Sequence, residues 1–237
     1  MATEARHSIQ SFPDNITLAE EVARRWIRDI AEVHEPVTVA LSGGRISTML
    51  LEAMAKEWTQ LNLPPDRAHF FWADERCVPP DHPESNFAAA NKALFLPLKI
   101  PSAHVHRIRA EMDPAFACAE AEAELCRLAT LSDQGHPVLD WVFLGMGEDG
   151  HVASLFPGQE VPQDRAFSKV TAPKPPPDRI TLTLPVLIAA KRVWAIISGA
   201  GKRGALAESL SDTSRLPFAQ VIHSREMTEI FTDFELG

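Results

Sequence analysis

The chain has 237 residues, 45% of them hydrophobic and 23% charged, which fits a globular protein able to bury its own core and excludes intrinsic disorder, collagen-like repeats and disulfide miniproteins. Its 23 lysines and arginines against 32 aspartates and glutamates give a formal charge of −9, the wrong sign for a general nucleic-acid binder.

The opening stretch Met1-Ala2-Thr3-Glu4-Ala5-Arg6-His7 has no apolar run of the secretory type, and no run elsewhere is long enough to span a membrane. A cytoplasmic protein with no membrane partner is expected. Cys77, Cys118 and Cys126 are an odd, sparse set, as in a reducing compartment. Cys118 and Cys126 fall on one predicted helix, roughly 12 Å apart by helical rise, beyond disulfide reach. Tyrosine is absent, so none can act as acid or nucleophile.

In chain order, Leu18 to Val33 reads as a helix. Pro36 to Leu41 reads as a buried strand, Ser42-Gly43-Gly44 as a turn and Arg45 to Trp58 as a helix. Ala68 to Ala73 is a second strand, Glu84 to Phe95 a helix, and Asp113 to Leu131 a long alanine-rich helix. Strands follow at Val138 to Leu144, Arg179 to Leu184 and Arg192 to Ser198, then a helix over Gly201 to Leu210 and a last, exposed strand over Thr228 to Asp233. Helix-length connections between strands imply parallel pairing with helices on both faces, a doubly wound α/β sheet. Ligands in that architecture bind outside the carboxyl ends of the strands.

Four polar clusters follow predicted strands. Ser42-Gly43-Gly44-Arg45 opens a helix and outlines a phosphate cradle, or simply a tight strand-to-helix turn; it is neither a Walker loop nor a full dinucleotide fingerprint. Asp74-Glu75-Arg76, with Ser85-Asn86 beyond it, is either a solvated charged turn or a set of groups that pair or meet a ligand, with Arg76 suited to phosphate or carboxylate. Glu84 reads as structural, near a helix N-terminus. In Gly145-Met146-Gly147-Glu148-Asp149-Gly150-His151, glycines frame two acids and a histidine, the usual general base near neutrality. Glu148, Asp149 and His151 lack the spacing of a known metal motif. Prolines 173, 175, 176 and 177 are expected to stiffen an extended, polyproline-like approach that presents Arg179, and Lys202 follows a strand and glycines. Arg76, Arg179 and Lys202, with Arg45, form a cationic mouth on an acidic chain, which suits a small anionic ligand and acid–base chemistry on a sugar phosphate. His104 and His106, flanking Val105, read as structural.

These clusters resemble the 6-phosphogluconolactonase family, within the wider glucosamine-6-phosphate isomerase/deaminase superfamily. The likeness rests on Ser42-Gly43-Gly44, on Asp74-Glu75-Arg76 with Val78-Pro79, Asp81 and Ser85-Asn86, on Gly145 to His151 with Ala153-Ser154-Leu155-Phe156-Pro157-Gly158, and on Pro173-Lys174-Pro175-Pro176-Pro177 with Arg179-Ile180-Thr181. The resemblance implies a single three-layer α/β/α domain over residues 1–237, with 1–35 as helical lead-in. It implies metal-independent hydrolysis of 6-phospho-D-glucono-1,5-lactone in the pentose phosphate pathway; no cofactor, no nucleic-acid partner and a monomer or small homo-oligomer are expected. By this analogy His151 activates water, and Glu148 or Asp149 orients its imidazolium. Arg179, Lys202 and the Gly43–Gly44 loop take the phosphate end, and Ser42 and Arg45 are expected among the substrate contacts at either end. Arg76 meets the lactone end or the developing negative charge, Asp74 and Glu75 are expected to bind sugar hydroxyls or pair with arginine, and Asn86 is expected among the substrate contacts. The family's usual Thr-Pro is replaced here by Ile46 and Ser47, with Ser47 offering a hydroxyl one step on, and Val152 stands where threonine is common.

Two other readings compete. Deaminases of the superfamily carry Phe-Asn-Glu-Pro after the histidine, but Ser154, Leu155, Phe156 and Pro157 stand here, so the orienting glutamate is replaced by Phe156. They also use tyrosines that this chain lacks. A sugar-phosphate-sensing regulator would need a DNA-binding segment, and the residues before position 36 hold one convincing helix and no basic stripe.

Overall fold

The computed structural model describes residues 6–236. Residues 1–5, most of the stretch read above for a leader, and residue 237 lie outside the described part. Among the described residues eleven strands run in chain order as β1 (His7–Ser11), β2 (Val37–Leu41), β3 (Ala68–Trp72), β4 (Asp74–Arg76), β5 (Thr130–Leu131), β6 (Pro137–Val138), β7 (Trp141–Leu144), β8 (Phe167–Thr171), β9 (Asp178–Leu182), β10 (Arg192–Ile197) and β11 (Thr228–Thr232). The helices are α1 (Asn15–Glu32), α2 (Arg45–Gln60), α3 (Asn86–Ala90), α4 (Leu96–Leu98), α5 (Pro114–Leu128), α6 (Leu184–Ala189), α7 (Arg203–Ser209) and α8 (Pro217–His223).

Six strands form one parallel sheet in the order β1-β11-β10-β7-β2-β3, with helices on both sides. Burial on both faces explains why β2 reads as an unbroken apolar run, all five of its residues being buried. The core is aromatic where α1 and α2 meet the sheet: Trp26 lies 6.1 Å from Trp58 and 5.5 Å, edge-on, from Phe143. From β2 the chain moves outward to β3. It then returns to the opposite side of β2 as β7 and continues to β10 and β11. The direction of winding therefore reverses between β2 and β7, where the carboxyl ends of two adjacent strands leave a crevice.

A second sheet, antiparallel, has the order β4-β9-β8. Ala73 links the two sheets: its N–H donates to Leu41 O at 2.8 Å and its carbonyl accepts from Leu182 N at 2.7 Å. The segment expected as a parallel strand at 179–184 belongs to this small sheet instead. The prolines expected to run extended turn the chain between β8 and β9, where Ala172 N donates to Pro177 O at 2.7 Å. The helix expected over 84–95 is α3 followed by a single wide turn at Asn91–Phe95. The last strand is not exposed, because β11 lies between β1 and β10 with Thr228, Ile230, Phe231 and Thr232 buried. All three cysteines are free.

Candidate active site

One cleft of about 300 Å³ opens at the crevice. Each wall comes from a strand end: Ser42 to Ile46 from β2, Asp74 and Arg76 from β4, Gly145 to Gly147 with His151 from β7, Arg179 from β9, and Ser198 with Lys202 from β10.

The turn after β7 holds the histidine. Gly147 N–H donates to His151 O at 2.9 Å, closing the turn. Asp149 Oδ1 lies 2.5 Å from His151 Nδ1 and accepts from the His151 backbone N–H at 3.2 Å. With Nδ1 tied to a carboxylate, Nε2 is the nitrogen left to accept a proton. Burial pushes the Asp149 carboxyl up, but its side-chain and backbone hydrogen bonds with His151 outweigh this and hold it below the usual range. Gly147 leaves room for this pair, because a Cβ on it would stand 2.1 Å from His151 Nδ1 and 2.5 Å from Asp149 Oδ1. The Phe156 ring packs 4.8 Å from the imidazole.

The cations sit opposite. Arg76 and Arg179 are direct partners across the β4–β9 ladder. Like charges facing each other on a ladder repel, so the arrangement asks for an anion. Arg76 donates through Nη1 to Glu84 O at 2.6 Å, and its Nε is buried without a partner. Arg179 donates through Nε to Pro176 O at 3.2 Å and lies 3.9 Å from Asp74 Oδ2. Burial pushes the Arg179 guanidinium down, Asp74 opposes this and Arg76 adds to it. Burial likewise pushes the Lys202 ammonium down, against Asp233 and Glu148. Both cations carry an electrostatic cost that a bound anion would relieve. The first turn of α2 also faces the cleft through Arg45 and Ile46, with Gly44 as an N-cap that offers no side-chain acceptor, so its N–H groups stay available.

The cleft thus gathers His151, Arg76, Ser42, Gly43, Gly44, Arg45, Asp74, Arg179 and Lys202, with Asp149 bound behind His151. Three expected contacts lie elsewhere. Glu148 does not reach the imidazole; it packs over Gly201, on the Lys202 side. Glu75 is buried and accepts from the N–H groups of Arg76, Asn86 and Phe87 and from Ser85 Oγ, so it fixes the start of α3 rather than a sugar hydroxyl. Asn86 donates to the Asp74 carbonyl at 2.8 Å and to Asp74 Oδ1 at 3.3 Å, and sits so close to Gly43 that a Cβ there would meet its Oδ1 at 1.8 Å. Ser47 does not replace the lost threonine, since its hydroxyl donates back to Gly43 O at 2.9 Å. Ser198 lines the cleft without having been singled out in the sequence, where it stands only at the end of a predicted strand, and Met146 lines it from within the glycine-framed motif. Among the described residues no three His, Cys, Asp or Glu side chains are placed to hold a metal ion.

The fold and the cleft are thus those of an open parallel α/β sheet that gathers a histidine–carboxylate pair and clustered cations at its switch point. The model of the family described as glucosamine-6-phosphate isomerases/6-phosphogluconolactonase matches residues 13–230, and the chain belongs to that family. It is 33% identical to a 6-phosphogluconolactonase of Haemophilus influenzae over 94% of this chain and 95% of that one. It is 36% identical to a probable 6-phosphogluconolactonase of Schizosaccharomyces pombe over 96% and 94% of the two chains. The solved 6-phosphogluconolactonase of Trypanosoma cruzi superposes with a TM-score of 0.86 at 26% identity, covering 97% of this chain and 96% of that one.

Proposed function

We propose that this chain hydrolyses 6-phospho-D-glucono-1,5-lactone to 6-phospho-D-gluconate, the lactone-opening step of the pentose phosphate pathway, with His151 as general base. The observation that carries the reading is the His151–Asp149 pair facing the ladder-paired Arg76 and Arg179 across one cleft. The names of the family relatives support the same reaction.

The phosphate docks on Arg179, Lys202 and the N–H groups that open α2. The lactone carbonyl carbon then lies toward His151, whose neutral imidazole takes a proton from water as that water attacks. The negative charge that develops on the carbonyl oxygen is met by Arg76 or by backbone N–H groups of the turn after β7. Asp149 stabilises the imidazolium, which returns its proton to the ring oxygen as the C–O bond breaks. Phe156 beside the imidazole disfavours the deamination reading, in which that neighbourhood supplies an orienting carboxylate.

The test is turnover of freshly generated lactone after EDTA treatment, with spontaneous hydrolysis subtracted. His151→Ala is expected to lose about 10²–10⁴-fold in kcat, the usual range for a general base. Near-wild-type turnover in that variant would overturn the assignment of the base. No wild-type turnover above background would overturn the reaction itself.

A further inference from the structure

We infer that Ser154 is a positioning residue for the anion-binding arginine Arg179, acting through Asp74. The inference rests on the reading of Arg179 as a ligand contact, and concerns how this chain holds that arginine ready.

Ser154 is fully buried and lies outside the lining of the cleft. A buried hydroxyl needs a partner, and this one donates to Asp74 Oδ2 at 2.6 Å, a short charge-assisted bond. Its backbone is fixed as well, since Ser154 N–H donates to Thr181 Oγ1 at 3.1 Å, and Thr181 is the ladder partner of Asp74. The preceding residue, Ala153, has a φ of +50°, a left-handed conformation that a non-glycine residue adopts at a cost, and it carries the chain from His151 toward Ser154. Asp74 is therefore gripped from two sides, Oδ2 by Ser154 and Oδ1 by Asn86 at 3.3 Å. Its carboxylate is held where Oδ2 lies 3.9 Å from Arg179 Nη1.

Arg179 faces the like charge of Arg76 across the ladder. Without a fixed counter-charge, repulsion would drive the two guanidiniums apart. A carboxylate locked by Ser154 and Asn86 supplies that counter-charge, and the backbone carbonyl of Pro176 holds Nε. The remaining donors of Arg179 stay free for a ligand. Ser154 thus joins the histidine turn and the arginine pair into one preorganised unit, so that ordering Arg179 costs little when the anion arrives.

The experiment is a double-mutant cycle of Ser154→Ala and Arg179→Ala. Its readouts are the affinity for 6-phosphogluconate by calorimetry and KM against kcat for the lactone. Ser154→Ala alone is expected to weaken 6-phosphogluconate binding and raise KM about 5–20-fold, with kcat little changed, the pattern of lost uniform binding. In the Arg179→Ala background the same substitution is expected to have almost no further effect, because its route to the ligand is gone. Equal effects in both backgrounds, or unchanged affinity in the single variant, would overturn the inference. Ser154→Cys, which keeps the volume and weakens the hydrogen bond, carries the same expectation and replaces the alanine variant should that fail to fold. If the wild type binds 6-phosphogluconate without hydrolysing the lactone, the proposed reaction fails while the calorimetric cycle still decides the role of Ser154.

Discussion

The site depends on the absence of a single methyl group at Gly147. The imidazole of His151 and the carboxylate of Asp149 both occupy the space that a Cβ at that position would need. Neither partner is locked elsewhere, the two side chains being 30% and 48% exposed, so a methyl group would push them aside rather than unfold the turn. Gly147→Ala is therefore expected to lower kcat by about 10²-fold, as for a 1 Å misplacement of a reacting group, with the melting temperature close to wild type. A variant with wild-type kcat would show that the pair can retreat without loss. The sequence pointed to the glycines around His151 as a frame, but not to which one the ring needs. That depends on how the turn closes between Gly147 N–H and His151 O, which spacing alone does not reveal.

Among the elements, β2, β3, β7 and β10 were legible because each is an apolar run that the fold buries along most of its length, and α2 because its apolar residues recur at helical spacing. β1 was not, since His7–Ser11 is largely exposed and polar and lies in the sheet by pairing with β11. Nor was membership of the small antiparallel sheet, because Arg179 to Leu182 has the same local pattern as a parallel strand and only the bend at Ala73 sends it elsewhere. The histidines show a similar limit. His104 and His106, read as structural, meet His69 of β3: the rings of His69 and His104 stack at 4.2 Å, and His69 Nδ1 lies 2.9 Å from His106 Nε2, whose Nδ1 bonds Glu124 at 2.8 Å. Burial first, then His104 and His106, push His69 down to about 4; burial also pushes His106 down, with Glu124 opposing. The Arg127 hydrogen bond, against burial and with help from His106, holds Glu124 down at about 2. The unfolded chain takes its proton on His69 near pH 6.5, the folded chain only near 4, so between these values unfolding binds protons. This contribution is complete above pH 6.5 and is lost as the pH falls toward 4. Melting temperatures measured from pH 7 to 4 are expected to fall more steeply for the wild type than for His69→Gln. Parallel curves would mean that His69 titrates normally in the fold.

Over the whole molecule two fields of opposite sign act on an anionic ligand. The net charge of −9 repels it at a distance, whereas Arg76, Arg179 and Lys202 attract it at the mouth of the cleft. Salt separates the two, because the Debye length is about 10 Å at 0.1 M and screening weakens each field according to its range and exposure. In the proposed binding mode the cations meet a doubly charged phosphate at contact, where one charge pair 4 Å apart is worth about 4 kcal/mol at an effective dielectric constant near 20. The net charge acts over the whole surface and the cations act at contact, so the attractive term is expected to dominate binding. KM is then expected to rise several-fold between about 0.02 and 0.2 M sodium chloride, with kcat nearly constant, because the phosphate is remote from the reacting carbon. Lys202→Ala is expected to raise KM at low salt and flatten its salt dependence, since one of the screened attractions is already gone. A KM that falls as salt is added would mean that the acidic surface outweighs the cleft, and would place the phosphate away from Lys202 and Arg179.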